Sequence, residues 1–181
     1  RVGTVGLPLP GIEVKVIDPV TGLELPDGVS GELCSRGHGV MLGYYKMPEE
    51  TARAIDADGW LHTGDLAMRE PNGYLRITGR IREIIIRGGE NIAPYEIENL
   101  LLSHPKVEDV HVVGVPDRKF GEEVLASIKL RGGQSATESE IRAFCAESLA
   151  RFKVPRWIQF VDSFPTTVTG KVQKFKFELL D

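Results

Sequence analysis

Residues 79–98 read Gly79-Arg-Ile-Arg-Glu-Ile-Ile-Ile-Arg-Gly-Gly-Glu-Asn-Ile-Ala-Pro-Tyr-Glu-Ile-Glu98. A glycine-arginine pair opens the stretch, and a β-branched run (Ile84, Ile85, Ile86) follows, which favours a strand. The chain then turns at Gly88-Gly89 and is expected to enter a helix with Pro94 in its first turn, where proline's missing N–H costs nothing. Such a segment can act as a joint with a functional surface at each end. The sequence on its two sides differs in character.

Upstream, residues 2–78 carry a β signal. Ile12, Val14 and Val16 alternate with Glu13 and Lys15, the period of a half-buried strand. Gly31 to Arg36 predicts a second strand, after the turn formers Asp18-Pro-Val-Thr-Gly22 and Pro26-Asp27-Gly28. Pro48 to Ala54 predicts one helix, with its proline and acids at the N-terminal end. Trp60 to His62 and Tyr74 to Thr78 predict strands, the second following a hairpin-type turn at Asn72-Gly73. The N-terminal part, residues 1–80, therefore reads as mainly β, the end of a small barrel or sandwich subdomain.

Downstream, residues 81–181 read as an α+β unit, a small sheet covered by helices. Ile97, Leu100 and Leu101 fall on one helical face before Pro105. Val107 to Val115 and Glu123 to Leu130 predict paired strands joined through residues 116–121. Thr137 and Glu140 form a capping box for a helix bearing Ile141, Phe144, Cys145 and Leu149. Trp157 to Val161 adds a strand, residues 165–171 a loop, and the last ten residues a short helix or tail.

With 181 residues, 41% of them hydrophobic, and a formal charge of −4, the chain can bury a core and has no global basic field. Nucleic acid is therefore not an expected partner. Cys34 and Cys145 have neither zinc nor disulfide spacing, and the four histidines have no metal spacing, so no metal site is expected. No apolar run reaches spanning length and no signal peptide is visible, so the expected location is cytoplasmic. The start at Arg1, in strand-like sequence, suggests a piece of something longer.

Single motifs are ambiguous. Thr63-Gly64-Asp65 reads alone as a turn after a strand, or as a carboxylate placed for paired ribose hydroxyls. His62 beside it is either a substrate contact or a locally satisfied ring. Arg80 is a solvated surface group or a donor to ribose or phosphate. Gly88-Gly89 ahead of a helix suggests an anion cradle, but there is no Gly-x-Gly-x-x-Gly, which leaves a close-approach turn for a ligand chain or a plain turn. Thr169-Gly170-Lys171 is not a Walker loop, because Pro165 stands where the first glycine belongs and Val172 where Ser or Thr would hold magnesium. What it leaves is a lysine displayed on a Thr/Gly-rich loop.

In order, these pieces resemble the adenylate-forming family of acyl-CoA synthetases, luciferases and peptide-synthetase adenylation domains. The resemblance rests on Gly59-Trp-Leu-His-Thr-Gly-Asp-Leu66, Gly73-Tyr-Leu-Arg-Ile-Thr-Gly-Arg80, residues 82–98 and Pro165-Thr-Thr-Val-Thr-Gly-Lys171, and it covers essentially the whole chain. Gly114-Val-Pro-Asp-Arg118 and Gly121-Glu-Glu-Val124 look like the acyl-CoA synthetase branch. The resemblance implies that Asp65 holds the ATP ribose hydroxyls with help from Arg80, and that Lys171 bridges the substrate carboxylate and the α-phosphate. It implies a hinge at Arg82 and a coenzyme A channel lined by Gly88 and Gly89. It divides the chain into residues 1–80, the tail of a large N-terminal domain, and residues 81–181, a small mobile C-terminal domain. The implied partners are a carboxylic acid, ATP, CoA and the N-terminal portion of the same enzyme. The family's phosphate loop and Mg2+ motif would lie upstream, so these 181 residues alone should be inactive. Two other readings stand beside this one: a stand-alone module that completes a site in trans, and an adenylation domain of a peptide synthetase.

Overall fold

A computed structural model describes residues 3–177, and the chain divides into two compact units, residues 1–82 and 83–181. The first unit is built on β1 (Ile12–Ile17), β2 (Ser30–Gly37), β3 (Leu61–Arg69) and β4 (Leu75–Arg80), an antiparallel meander in sheet order β1-β2-β3-β4. Val16, Ile17, Cys34, Ala67 and Leu75 are its buried apolar residues. Helix α1 (Pro48–Ala54) lies between β2 and β3, with Pro48 at its start and Glu49 and Glu50 in its first turn.

The strand bounds depart from the sequence expectation at one consequential place. Thr63-Gly64-Asp65 is not a turn after a strand, because β3 begins at Leu61 and continues through it to Arg69. On β2, Glu32 pairs with Leu66 and Cys34 with His62, so three β3 residues face the single residue Leu33. A second irregularity on the other side sets Leu66 opposite Gly79 but Ala67 opposite Ile77. Gly64, at φ +71°, supplies the left-handed conformation the bulge needs.

The second unit contains β5 (Ile85–Arg87), β6 (Glu90–Ile92), α2 (Pro94–Leu102), β7 (Val107–Asp117), β8 (Gly121–Leu130), α3 (Glu138–Ser148) and β9 (Trp157–Phe160). Its sheet runs β6-β5-β8-β7, with β9 joining β8 in parallel after the α3 crossover. Ile97 and Leu101 of α2, Ile141 and Cys145 of α3, and Val107, Val110 and Val112 of β7 are fully or almost fully buried in one core with Val124, Ala126 and Ile128 of β8. Truncating a side chain as enclosed as Leu101 to alanine costs about 2–5 kcal/mol by transfer and cavity effects.

Three local features differ from the sequence expectation. Gly88-Gly89 does not lead into the helix; it closes a two-residue hairpin in which Arg87 pairs with Glu90, and β6 intervenes before α2. Pro116 belongs to β7 rather than to the connection that follows it. The capping box is realised by halves. The Glu140 N–H donates to Thr137 Oγ1 at 3.2 Å, while the Glu140 carboxylate lies 2.7 Å from Lys106 Nζ. Of the last ten residues, Lys174–Lys176 form a 3-10 turn, and residues 178–181 lie outside the described part.

Candidate functional site

Asp65 and Arg80 are directly paired across β3 and β4, and Arg80 Nε donates to Asp65 Oδ1 at 2.8 Å. The bulge at residues 63–65 lifts the carboxylate at the place where the ladder is interrupted, which is the usual effect of a bulge on side-chain direction. Asp65 and Arg80 side chains keep 32% and 49% of their surface exposed, so a ligand can reach both. Together they present oxygen acceptors beside fixed guanidinium donors, a combination suited to vicinal hydroxyls.

The bulge is held from beneath. The Thr63 hydroxyl donates to Leu33 O at 2.7 Å and accepts from the Asp65 N–H at 3.1 Å. Glu32, nearly buried, accepts from the Gly64 N–H at 3.2 Å through Oε1 and lies 3.0 Å from His62 Nδ1 through Oε2. His62 Nε2 is 3.7 Å from Asp56 Oδ2. His62 is thus engaged by its own unit, the plainer of its two sequence readings. Glu32 was not a sequence candidate: it is thirty residues from its contacts, and only the β2–β3 register reveals the role.

Cys34 Sγ lies 3.7 Å from the same His62 Nδ1, and the donor atoms of Glu32, Cys34 and His62 all fall within 4.8 Å of one another. A single ring nitrogen serves both neighbours here, and its hydrogen bond to Glu32 already accounts for the arrangement. Burial, reinforced by the Glu32 charge, pushes the Cys34 thiol up to about 11, which opposes the thiolate a metal would need.

In the second unit, the Gly88-Gly89 turn has φ values of +59° and +90°, as a tight hairpin with both central residues left-handed requires. The Gly88 N–H donates to Phe120 O at 2.8 Å, and a Cβ on Gly88 would come within 3.1 Å of the Phe120 ring. Gly89 faces open space. The anion cradle at a helix N-terminus is not formed here, because the helix starts later, at Pro94, a residue with no N–H to offer. Beside the turn, Arg87 makes a two-pronged pair with the buried Glu123 at 2.8 Å on each prong and lies over the Phe120 ring. Burial would raise the Glu123 carboxyl, but the Arg87 hydrogen bonds and charge outweigh it and hold the group below its ordinary value.

Lys171 is exposed at a tight turn. Its N–H donates to Thr167 Oγ1 at 3.1 Å and its carbonyl accepts from the Thr167 N–H at 2.8 Å, while Thr166 bridges to Val172. The expected loop is therefore a small hairpin. Arg82, also exposed, lies in a 3-10 turn (Ile81–Glu83) and is the last residue of the first unit. Of the candidate residues, Asp65 and Arg80 are brought into contact in the first unit, whereas Gly88, Gly89 and Lys171 belong to the second.

A bulged meander followed by an α+β unit is an architecture shared with solved adenylate-forming enzymes. Residues 1–45 match the AMP-binding enzyme family and residues 96–171 the AMP-binding enzyme C-terminal domain, and the chain belongs to this family. It is 54% identical over 176 residues to YngI of Bacillus subtilis, an acyl-CoA synthetase by name, covering 97% of this chain and 32% of that protein. It is 49% identical to the mitochondrial medium-chain acyl-CoA ligase ACSF2 of Danio rerio, over 97% of this chain and 29% of the relative. ATP-bound MatB from Rhodopseudomonas palustris shares 40% identity at a TM-score of 0.91, over 96% of this chain and 34% of that structure. The chain thus spans about a third of the length of the relatives it matches. Among the described residues, no helix is long and apolar enough to cross a membrane.

Proposed function

We propose that the chain is the C-terminal portion of an ATP-dependent acyl-CoA synthetase, which converts a carboxylic acid, of the fatty-acid type, with ATP and CoA into acyl-CoA, AMP and diphosphate. Residues 1–80 would close the large domain and residues 81–181 form the small mobile one. The remaining N-terminal portion would supply the acyl pocket and the Mg2+ site. The observation that carries the reading is the Asp65–Arg80 pair on its bulge, an acceptor–donor couple open to a ribose.

In the first half-reaction, a carboxylate oxygen of the acid attacks the α-phosphorus of ATP, the bond to diphosphate breaks, and an acyl-adenylate forms. Two anions must meet, so a cation aimed at the charge developing between them lowers the barrier. Lys171, an ammonium at an exposed hairpin tip, has this role. Asp65 and Arg80 fix the ribose and so orient the α-phosphate. In the second half-reaction, the CoA thiol loses its proton to solvent, its sulfur attacks the acyl carbon, and AMP leaves. Lys171 has no part in that step. A rotation about Arg82 withdraws it and brings in the Gly88-Gly89 turn, whose lack of side chains leaves room for the pantetheine arm.

The test is Lys171→Ala in the intact enzyme. Acid-dependent pyrophosphate exchange should fall at least about a hundredfold, while thioester formation from supplied acyl-adenylate changes little. Equal loss in both half-reactions would refute the division of labour.

A further inference from the structure

We propose that Lys174 is a positioning residue for Lys171, locking the hairpin that carries it to the residue that follows Arg82. The inference rests on the assignment of Lys171 to the adenylation step.

Residues 165–173 form a hairpin whose base is closed by the Gln173 N–H donating to Pro165 O at 2.8 Å. Both legs run to the same place. Phe164, on the entering leg, meets the His111 ring edge-on at 4.6 Å and stacks on Phe177 at 5.8 Å. Lys174, on the leaving leg, places Nζ 2.9 Å from Glu83 Oε2 and 2.9 Å from Glu98 Oε1. Glu98 on α2 also accepts from the Val112 N–H of β7 at 2.8 Å. One ammonium therefore ties together the 3-10 turn that contains Glu83, helix α2 and the lysine hairpin.

The clamp is partly enclosed, with the Lys174 and Glu98 side chains 25% and 14% exposed. Burial disfavours the charge on Lys174, but the two carboxylates, Glu98 foremost, more than offset it and raise the ammonium above its ordinary value. Without that ammonium, two carboxylates that now share one cation would face each other uncompensated.

Lys174 is three residues from Lys171, so an error in the leg passes directly to the catalytic ammonium. Glu83 is the next residue after Arg82, so a rotation at Arg82 reaches the hairpin through a single side chain rather than through the folded chain between. Displacement of a reacting group by about 1 Å costs on the order of a hundredfold in rate. That sensitivity is the reason for fastening the leg at this point.

The test has two parts. In the 181-residue chain, Lys174→Met should speed hydrogen exchange at the Thr167, Lys171 and Gln173 amides by about tenfold or more. The β8 amides should stay protected, and Lys174→Arg should restore the hairpin. A uniform rise across β7 and β8, or no rise in the hairpin, would overturn the clamp. In the intact enzyme, Lys174→Met should lower kcat for adenylation by roughly ten- to a hundredfold. The KM for ATP should hold within about twofold, Lys174→Arg should recover most of the rate, and thioester formation from supplied acyl-adenylate should be spared. Equal loss in both half-reactions would also overturn it. If Lys171→Ala leaves adenylation intact, the assignment of Lys171 fails instead, and the exchange result is unaffected.

Discussion

Arg80 Nε sits 2.8 Å from Asp65 Oδ1, and the two residues occupy one register position of the β3–β4 ladder. The guanidinium therefore holds the carboxylate ready before any ligand arrives, at a point where the strand has already bulged. Neither side chain is deeply enclosed, and an exposed pair of this kind contributes at most about 1 kcal/mol to folding.

Asp65→Ala and Arg80→Ala should accordingly leave the first unit folded, with a thermal midpoint within a few degrees of the parent. In the intact enzyme each should raise the KM for ATP by about tenfold or more, as expected when a charged hydrogen bond to substrate is lost. Circular-dichroism melts alongside steady-state kinetics check both halves. A large fall in melting temperature with an unchanged KM would mean that the pair serves the fold.

The Gly88-Gly89 turn separates backbone from packing effects. Both residues adopt φ above zero, so Gly88→Ala and Gly89→Ala each carry a left-handed cost of roughly 1–2 kcal/mol. At Gly88 the new methyl must also displace the Phe120 ring, whereas at Gly89 it meets nothing. Chemical denaturation should therefore show Gly88→Ala as the more damaging change. Gly88→Ala in a Phe120→Ala background, where the obstructing ring is gone, should cost about as much as Gly89→Ala. In the intact enzyme Gly89→Ala should slow thioester formation more than adenylation.

What the sequence yielded was the periodic part of the fold. The alternation at Ile12, Val14 and Val16, the Pro48 helix and the valines of β7 all rest on local preference and appear where expected. What it withheld depends on register between distant strands. Thr63-Gly64-Asp65 carries turn residues, and only its pairing with β2 and β4 shows that they make a bulge inside a strand. Gly88-Gly89 looks in sequence like a helix entrance because the three residues of β6 are too few to carry a period. In sequence Glu32 and Lys174 look like any other charged residues, since their partners lie 30 to 91 positions away.

Both cysteines should be inert in the native chain. Cys34 and Cys145 are fully buried, and burial pushes each thiol up to about 11, helped at Cys34 by the nearby Glu32 charge. At pH 8 only about one thiol in a thousand would then be ionised even if reagent could reach it. A disulfide-exchange reagent should label neither thiol on mixing and both after denaturation, at the rate of unfolding. Prompt labelling of one thiol in the native chain would show that its unit opens locally.

His111 gives the second unit a pH dependence. Its ring packs on Phe164, with Nδ1 3.9 Å from Glu98 Oε1 and Nε2 3.7 Å from Asp109 Oδ2, both outside hydrogen-bond reach. Burial lowers its pKa; Asp109, Glu98 and Glu83 oppose that lowering, and Lys174 adds to it. The unfolded chain therefore takes up this proton at a higher pH than the folded one. The contribution of neutral His111 is complete above its unfolded pKa of about 6.5 and is lost as pH falls through the lower folded value. The stability of the second unit should decline from about pH 6.5 downward, before the carboxylates begin to titrate. His111→Phe keeps a ring against Phe164 and Phe177 but removes the proton site, so it should flatten the curve between pH 7 and 5. Urea denaturation across that range measures both slopes. An unchanged slope in His111→Phe would assign the proton uptake to another group.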